Sequence, residues 1–137
     1  MSMKKALVMI LLCICIVPVS AIAGNFDGSR TLLCALIEVY ECVPNEGCEG
    51  TTADAINLPQ FLTIDFQKKH ISGATPEGTI RKTDIERMEH VNGRLILQGG
   101  EEGRGWSISI DENTGKMVAT VSGEEAGFVI FGACAVP

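Results

Sequence analysis

Apolar and polar residues alternate through most of residues 79–134, and glycine-bearing turns cut the alternation into short runs. A period of two places successive side chains on opposite faces of a strand. Val91-Asn92-Gly93-Arg94 is the sharpest local feature. Asn and Gly both tolerate positive φ, so this tetrapeptide predicts a two-residue hairpin turn. That turn pairs His90 with Leu95 and Met88 with Leu97, and puts these four on one face. Glu89, Val91, Arg94 and Ile96 take the other. A one-residue slip would send Leu95 and Leu97 outward, so packing enforces the register. Trp106, Ile108 and Ile110 point one way, with Ser107 and Ser109 opposite. After a turn at 111–115, Met117, Ala119 and Val121 oppose Val118 and Thr120. A turn at 122–127 leads into Phe128-Val129-Ile130-Phe131, which is apolar on both faces. That run predicts a central strand, or one that closes a barrel.

Upstream the pattern is less regular. In residues 31–42, Leu32, Leu33, Leu36 and Tyr40 suit one helical face, whereas Ile37, Val39 and Tyr40 favour an extended chain. The expectation is a strand, or a short turn leading into one. Residues 43–60 carry Pro44, Gly47, Gly50, Asn57 and Pro59 and predict a loop, with one helical turn at 53–58, covering one end of the domain. Leu62, Ile64 and Phe66 face inward from a strand that residues 67–71 extend. Residues 72–78 form a loop, and 79–83 alternate weakly. The glycine-rich segment 99–105 is expected as a hairpin loop. The fold class is therefore all-β: a small antiparallel meander or barrel of seven to eight strands, stapled by disulfides.

Residues 1–23 have the layout of an export signal. Lys4 and Lys5 form a basic start, residues 6–17 are apolar but short for a membrane span, and Ala21-Ile22-Ala23 offers small residues for cleavage. A membrane anchor is the alternative; no second long apolar stretch follows. The mature chain is expected as a single β domain over residues 24–137, in the periplasm or secreted, with no membrane contact after cleavage. Removing Lys4 and Lys5 leaves nine basic residues against 17 acidic ones, a net charge of −8. That charge disfavours nucleic acid as a partner and favours a basic protein or a cationic ligand.

Of six cysteines, Cys13 and Cys15 leave with the signal. The remaining four in an exported chain predict two disulfides. The preferred pairing is Cys42 with Cys48 around Pro44-Asn45-Glu46-Gly47, and Cys34 with Cys134. The alternative is Cys34 with Cys42 and Cys48 with Cys134. No Cys-x-x-Cys spacing points to zinc or redox chemistry.

Candidate chemistry is sparse. There is no serine-elbow motif, phosphate loop or dinucleotide fingerprint. His70 and His90 lack a metal-ligand spacing with Asp65, Asp84 or Glu86, and the adjacent Glu124 and Glu125 do not predict converging carboxylates. The chain is not expected to be an enzyme, and no cofactor is implied.

Asp27-Gly28-Ser29 ahead of Leu33-Cys34-Ala35, then Gly103-Arg104-Gly105-Trp106-Ser107 followed by Asp111 and Thr114-Gly115, and finally Phe131-Gly132-Ala133-Cys134, resemble a group of small exported bacterial proteins of unassigned function. In architecture the chain is also similar to small calycin-like barrels and to the periplasmic lysozyme inhibitors. The likeness to the inhibitors is one of size, disulfide use and export; Gly103-Arg104-Gly105-Trp106 does not match the Ser-Gly-x-x-Tyr segment of the C-type inhibitors.

These readings converge on a non-catalytic binding module. In one form the interior holds a small apolar or aromatic ligand against Trp106, Met88, Leu97, Ile108 and Phe131, with His90 as a polar handle. In the other, Glu101, Glu102, Arg104, Glu124 and Glu125 meet a basic enzyme such as lysozyme at the outer surface. A third form is a structural accessory protein bound through edge strands.

Overall fold

A computed structural model describes residues 25–137. The export signal expected at residues 1–23, with Cys13 and Cys15, lies outside the described residues. Ten strands follow: β1 (Leu32–Val43), β2 (Gly47–Thr51), β3 (Phe61–Asp65), β4 (His70–Ala74), β5 (Ile80–Asp84), β6 (Arg87–Val91), β7 (Arg94–Glu101), β8 (Arg104–Asp111), β9 (Lys116–Ser122) and β10 (Gly127–Ala135). They form one sheet in the order β5-β4-β3-β1-β10-β9-β8-β7-β6, with β2 paired to β1 off this path. Neighbours along it are antiparallel.

The two ends of that order, β5 and β6, are joined in the chain by Ile85 and Glu86 alone. The sheet must therefore curl until its edges approach, and it forms a half-barrel. Ile85 N–H donates to the Lys69 carbonyl at 2.9 Å, and Glu86 N–H to the Gln98 carbonyl at 3.0 Å. Consecutive amides thus tie the connection to opposite ends of the sheet.

β1 is the spine. One edge pairs with β10 along most of its length. The other edge carries β3 on Leu32, Leu33, Cys34 and Ala35, and β2 from Val39 to Val43. Leu32, Cys34 and Leu36 are buried, yet the next buried residue is Val39, three positions on. A β-bulge between Leu36 and Glu38 accounts for the break: one extra residue, Ile37, resets the alternation and is left 65% exposed. Ile64, Ile71, Leu95, Leu97, Ile108, Ile110, Met117 and Ile130 complete the core from the other strands.

The two disulfides join cross-strand partners. Cys34 faces Cys134 in the β1–β10 ladder, and Cys42 faces Cys48 in the β1–β2 ladder. This is the preferred pairing. The Asn92-Gly93 turn also forms as expected, with φ of 50° and 75°, and sets His90 opposite Leu95 and Met88 opposite Leu97. β10 lies between β1 and β9, the central position expected for it.

Several expectations need correction. Among the described residues there are ten strands, not seven or eight. Part of the loop expected at 43–60 is β2, whose residues GCEGT do not alternate; they are extended because β1 supplies backbone partners and the Cys42–Cys48 bond holds the hairpin. The expected helical turn is a single 3-10 turn at Asp54–Ile56. Residues 67–71 do not extend β3. The chain reverses, Asp65 Oδ1 accepts the Lys68 N–H at 2.9 Å, Lys69 takes φ 54°, and His70 opens β4. The glycine-rich hairpin loop is smaller than expected: Gly99 and Gly100 belong to β7, Gly105 belongs to β8, and only Glu102 and Gly103 turn, with φ of 50° and 77°.

Candidate ligand cavity

One end of the half-barrel interior is not filled. An apolar cavity of about 120 Å³ lies there, with Leu36, Ile71, Ile108, Ala119 and Ile130 at its inner wall. Strand alternation brings these side chains together from β1, β4, β8, β9 and β10. Leu58 and Pro59 enter from the loop after the 3-10 turn, and Leu62 from β3. Leu58 N–H donates to the Ala53 carbonyl at 2.8 Å. The Gln60 side-chain amide donates to the Leu36 carbonyl, and Leu36 N–H returns a bond to the Gln60 carbonyl at 3.0 Å. Gly73 is required beneath this loop, since a Cβ there would lie 2.5 Å from the Phe61 carbonyl oxygen and 2.6 Å from Pro59 Cβ.

Trp106 forms the wall where the sheet edges meet. Its indole N–H donates to Thr83 Oγ1 at 3.0 Å, and that hydroxyl donates to the Gly100 carbonyl at 3.4 Å. A side chain at Gly99 would collide with the indole ring at 2.4 Å and with the Asp84 carbonyl at 2.6 Å, so β5 and Trp106 can close on β7 only over a glycine. Beside Thr83 on the same face of β5, Arg81 spans the mouth. Its Nη2 lies 3.3 Å from Glu101 Oε2, and its Nη1 donates to the Asn57 carbonyl at 3.4 Å. Both side chains are about a quarter exposed, at 23% and 27%. This pair ties β5, the covering loop and β7 together. Arg104 lines the same mouth.

The expected ligand residues divide. Trp106 and Ile108 line the cavity. Leu97 faces inward but is fully buried against the cross-strand Ile108, so it belongs to the packed core. Met88 and His90 have the expected register, but β6 ends the sheet and leaves them exposed. Met88 sits near Gly28 at the opposite end, and His90 Nδ1 lies 2.5 Å from Glu112 Oε1. Neither lines the cavity. Phe131 does not line it either. It is 42% exposed on the outer face, edge-on to Tyr40 at 6.2 Å, while its neighbour Ile130 takes the inner position. An apolar run on both faces does not reveal which residues point in, and β10 resolves opposite to the expectation.

Among the outer-surface candidates, Glu101 is held by Arg81 and Arg104 borders the cavity. Glu102 sits in the β7–β8 turn, and Glu124 and Glu125 sit exposed in the β9–β10 turn. Both turns open at the end of the molecule where the cavity lies. Sequence reasoning missed Arg81, Thr83, Leu58 and Pro59. The only trace was the shared face of Arg81 and Thr83 in a weakly alternating strand, which carries no sign of what they would meet.

Among the described residues no group of three or more His, Cys, Asp or Glu side chains is placed to hold a metal ion, and no helix is long and apolar enough to cross a membrane. No protein-family model, curated protein or solved structure matches the chain.

Proposed function

We propose that this protein is a non-catalytic binding module, exported to the periplasm or beyond the cell, whose half-barrel interior takes a small apolar or aromatic group beneath Trp106. The cavity carries the reading. Its wall is almost wholly aliphatic apart from one indole, and it is ringed at the mouth by polar side chains, the usual build of a small-molecule site. Its volume of about 120 Å³ approaches the roughly 150 Å³ at which an engineered apolar cavity in another protein takes up benzene. Two disulfides support an oxidising compartment.

Trp106 reports on occupancy directly. Titration with 2-phenylethanol is expected to shift its emission saturably, and Ala119→Leu, which grows into the cavity, is expected to abolish the shift while the far-ultraviolet circular dichroism stays native. Emission that does not respond to the ligand sinks the reading. The acidic turns with Glu102, Glu124 and Glu125 support the second reading, a surface that meets a basic enzyme such as lysozyme, and that result would bring it forward.

A further inference from the structure

We infer that the natural ligand of this cavity is a small carboxylate, a single ring or short chain with one acid group held at the mouth by Arg104. The inference rests on the cavity reading above and concerns the end of the ligand that the apolar wall does not see. Alternation along β8 sets Arg104, Trp106 and Ile108 on one face, from the mouth inward. Arg104 is the direct cross-strand partner of Glu101, which would ordinarily neutralise it. The Glu101 carboxylate instead meets Arg81 across the closure of the sheet, at 3.3 Å. Among the described residues Arg104 has no ion-pair partner. Two guanidinium groups and one carboxylate therefore meet at the mouth, a local charge of +1 on a chain of net charge −6. Lys82 also borders the cavity, but alternation in β5 turns it away from Arg81 and Thr83.

A guanidinium fork matches the two oxygens of a carboxylate, and such charge-assisted bonds are the stronger kind. The apolar wall lies deeper, so the ligand's hydrocarbon part points in and its acid group stays at the water boundary. An ionised carboxylate is thereby spared the large penalty of full burial. A cationic head group would meet Arg104 with like charge. Glu102, Glu124 and Glu125 do not line the cavity, and as exposed turn residues they act through screened solvent. The cavity volume limits the apolar part to about one ring or roughly six carbon atoms.

The test compares two probes of one skeleton, phenylacetate and 2-phenylethanol, by calorimetry on the disulfide-bonded chain. The acid is expected to bind roughly tenfold more tightly at low salt, the range of one good charge-assisted contact. That ratio is expected to fall towards one in Arg104→Gln and, in the unaltered chain, as salt is raised. If the alcohol binds and the acid gains nothing, the carboxylate assignment is overturned while the apolar cavity reading stands. A ratio that survives Arg104→Gln overturns Arg104 as the anchor. If neither probe binds, both readings fall together.

Discussion

Three aspartates perform one local task. Asp27 Oδ1 accepts the Ser29 N–H at 2.9 Å, Asp65 Oδ1 accepts that of Lys68 at 2.9 Å, and Asp111 Oδ1 accepts those of Asn113 and Thr114 at 3.0 and 2.9 Å. Each carboxylate folds its own chain into a turn, the habit that makes Asp a turn residue. Each is also held below the ordinary aspartate value of 3.8: Asp27 chiefly by the Ser29 side chain and backbone, Asp65 by the Lys68 amide, Asp111 by the Thr114 and Asn113 amides. The folded chain therefore binds these protons more weakly than the unfolded chain does. Their stabilisation is complete above the ordinary value and is lost as pH falls through the lowered ones. Thermal midpoints measured from neutral pH downward should hold until about pH 4 and then fall. Asp111→Ala should flatten that fall; an unchanged acid profile in the variant would deny Asp111 its part.

Among the elements, β1 sets the plan of the sheet because it pairs along both edges and carries one half of each disulfide. The two bonds differ in reach. Cys42–Cys48 closes a hairpin across a sequence separation of 6, whereas Cys34–Cys134 joins the first strand to the last across 100. Loop-closure entropy gives about 2.4 kcal/mol for the first and about 4.7 kcal/mol for the second. Replacing Cys34 and Cys134 together by Ala should therefore lower the urea midpoint more than replacing Cys42 and Cys48 together. Equal midpoints in the two variants would contradict this ranking. Cys34 is also fully buried and Cys134 nearly so, which adds packing loss to the longer bond, whereas β2 around Cys48 is exposed. The hairpin variant has a local consequence as well: β2 should lose amide protection while the β7–β10 ladder keeps its own.

In the whole molecule the decisive contact is the approach of β5 to β7 over Gly99. The indole of Trp106 and the Asp84 carbonyl converge on that one position, the Thr83 hydroxyl ties the indole to the Gly100 carbonyl next to it, and the Arg81–Glu101 pair closes the mouth beside it. Gly99→Ala should cost about 1–3 kcal/mol, the ordinary range for overpacking a close contact. Because the backbone at Asp84 and the ring must both retreat, Trp106 emission should change in the same variant. Urea denaturation followed by fluorescence checks both, and native stability with native emission would show that the edges do not meet there.

Much of this architecture is present in local pattern. Period-two alternation marks the inward residues of β7, β8 and β9. Asn92-Gly93 fixes its hairpin register through positive φ, and four cysteines in the described chain form the two bonds preferred from their spacing. These features depend on residues close together in the chain, or on a pairing with few alternatives. Other features had no local sign. β2 is extended through a neighbour and not through its own composition. Ile37 bulges, and so Val39 points inward. Ile130 takes the inner face of β10 in place of Phe131, and Met88 and His90 lie uncovered because β6 ends the sheet. The cavity belongs to this second group. Alternation states which face of each strand is apolar, but not whether the faces fill the space between them. That depends on how far the sheet curls before β5 meets β7, which is set by contacts between residues distant in sequence.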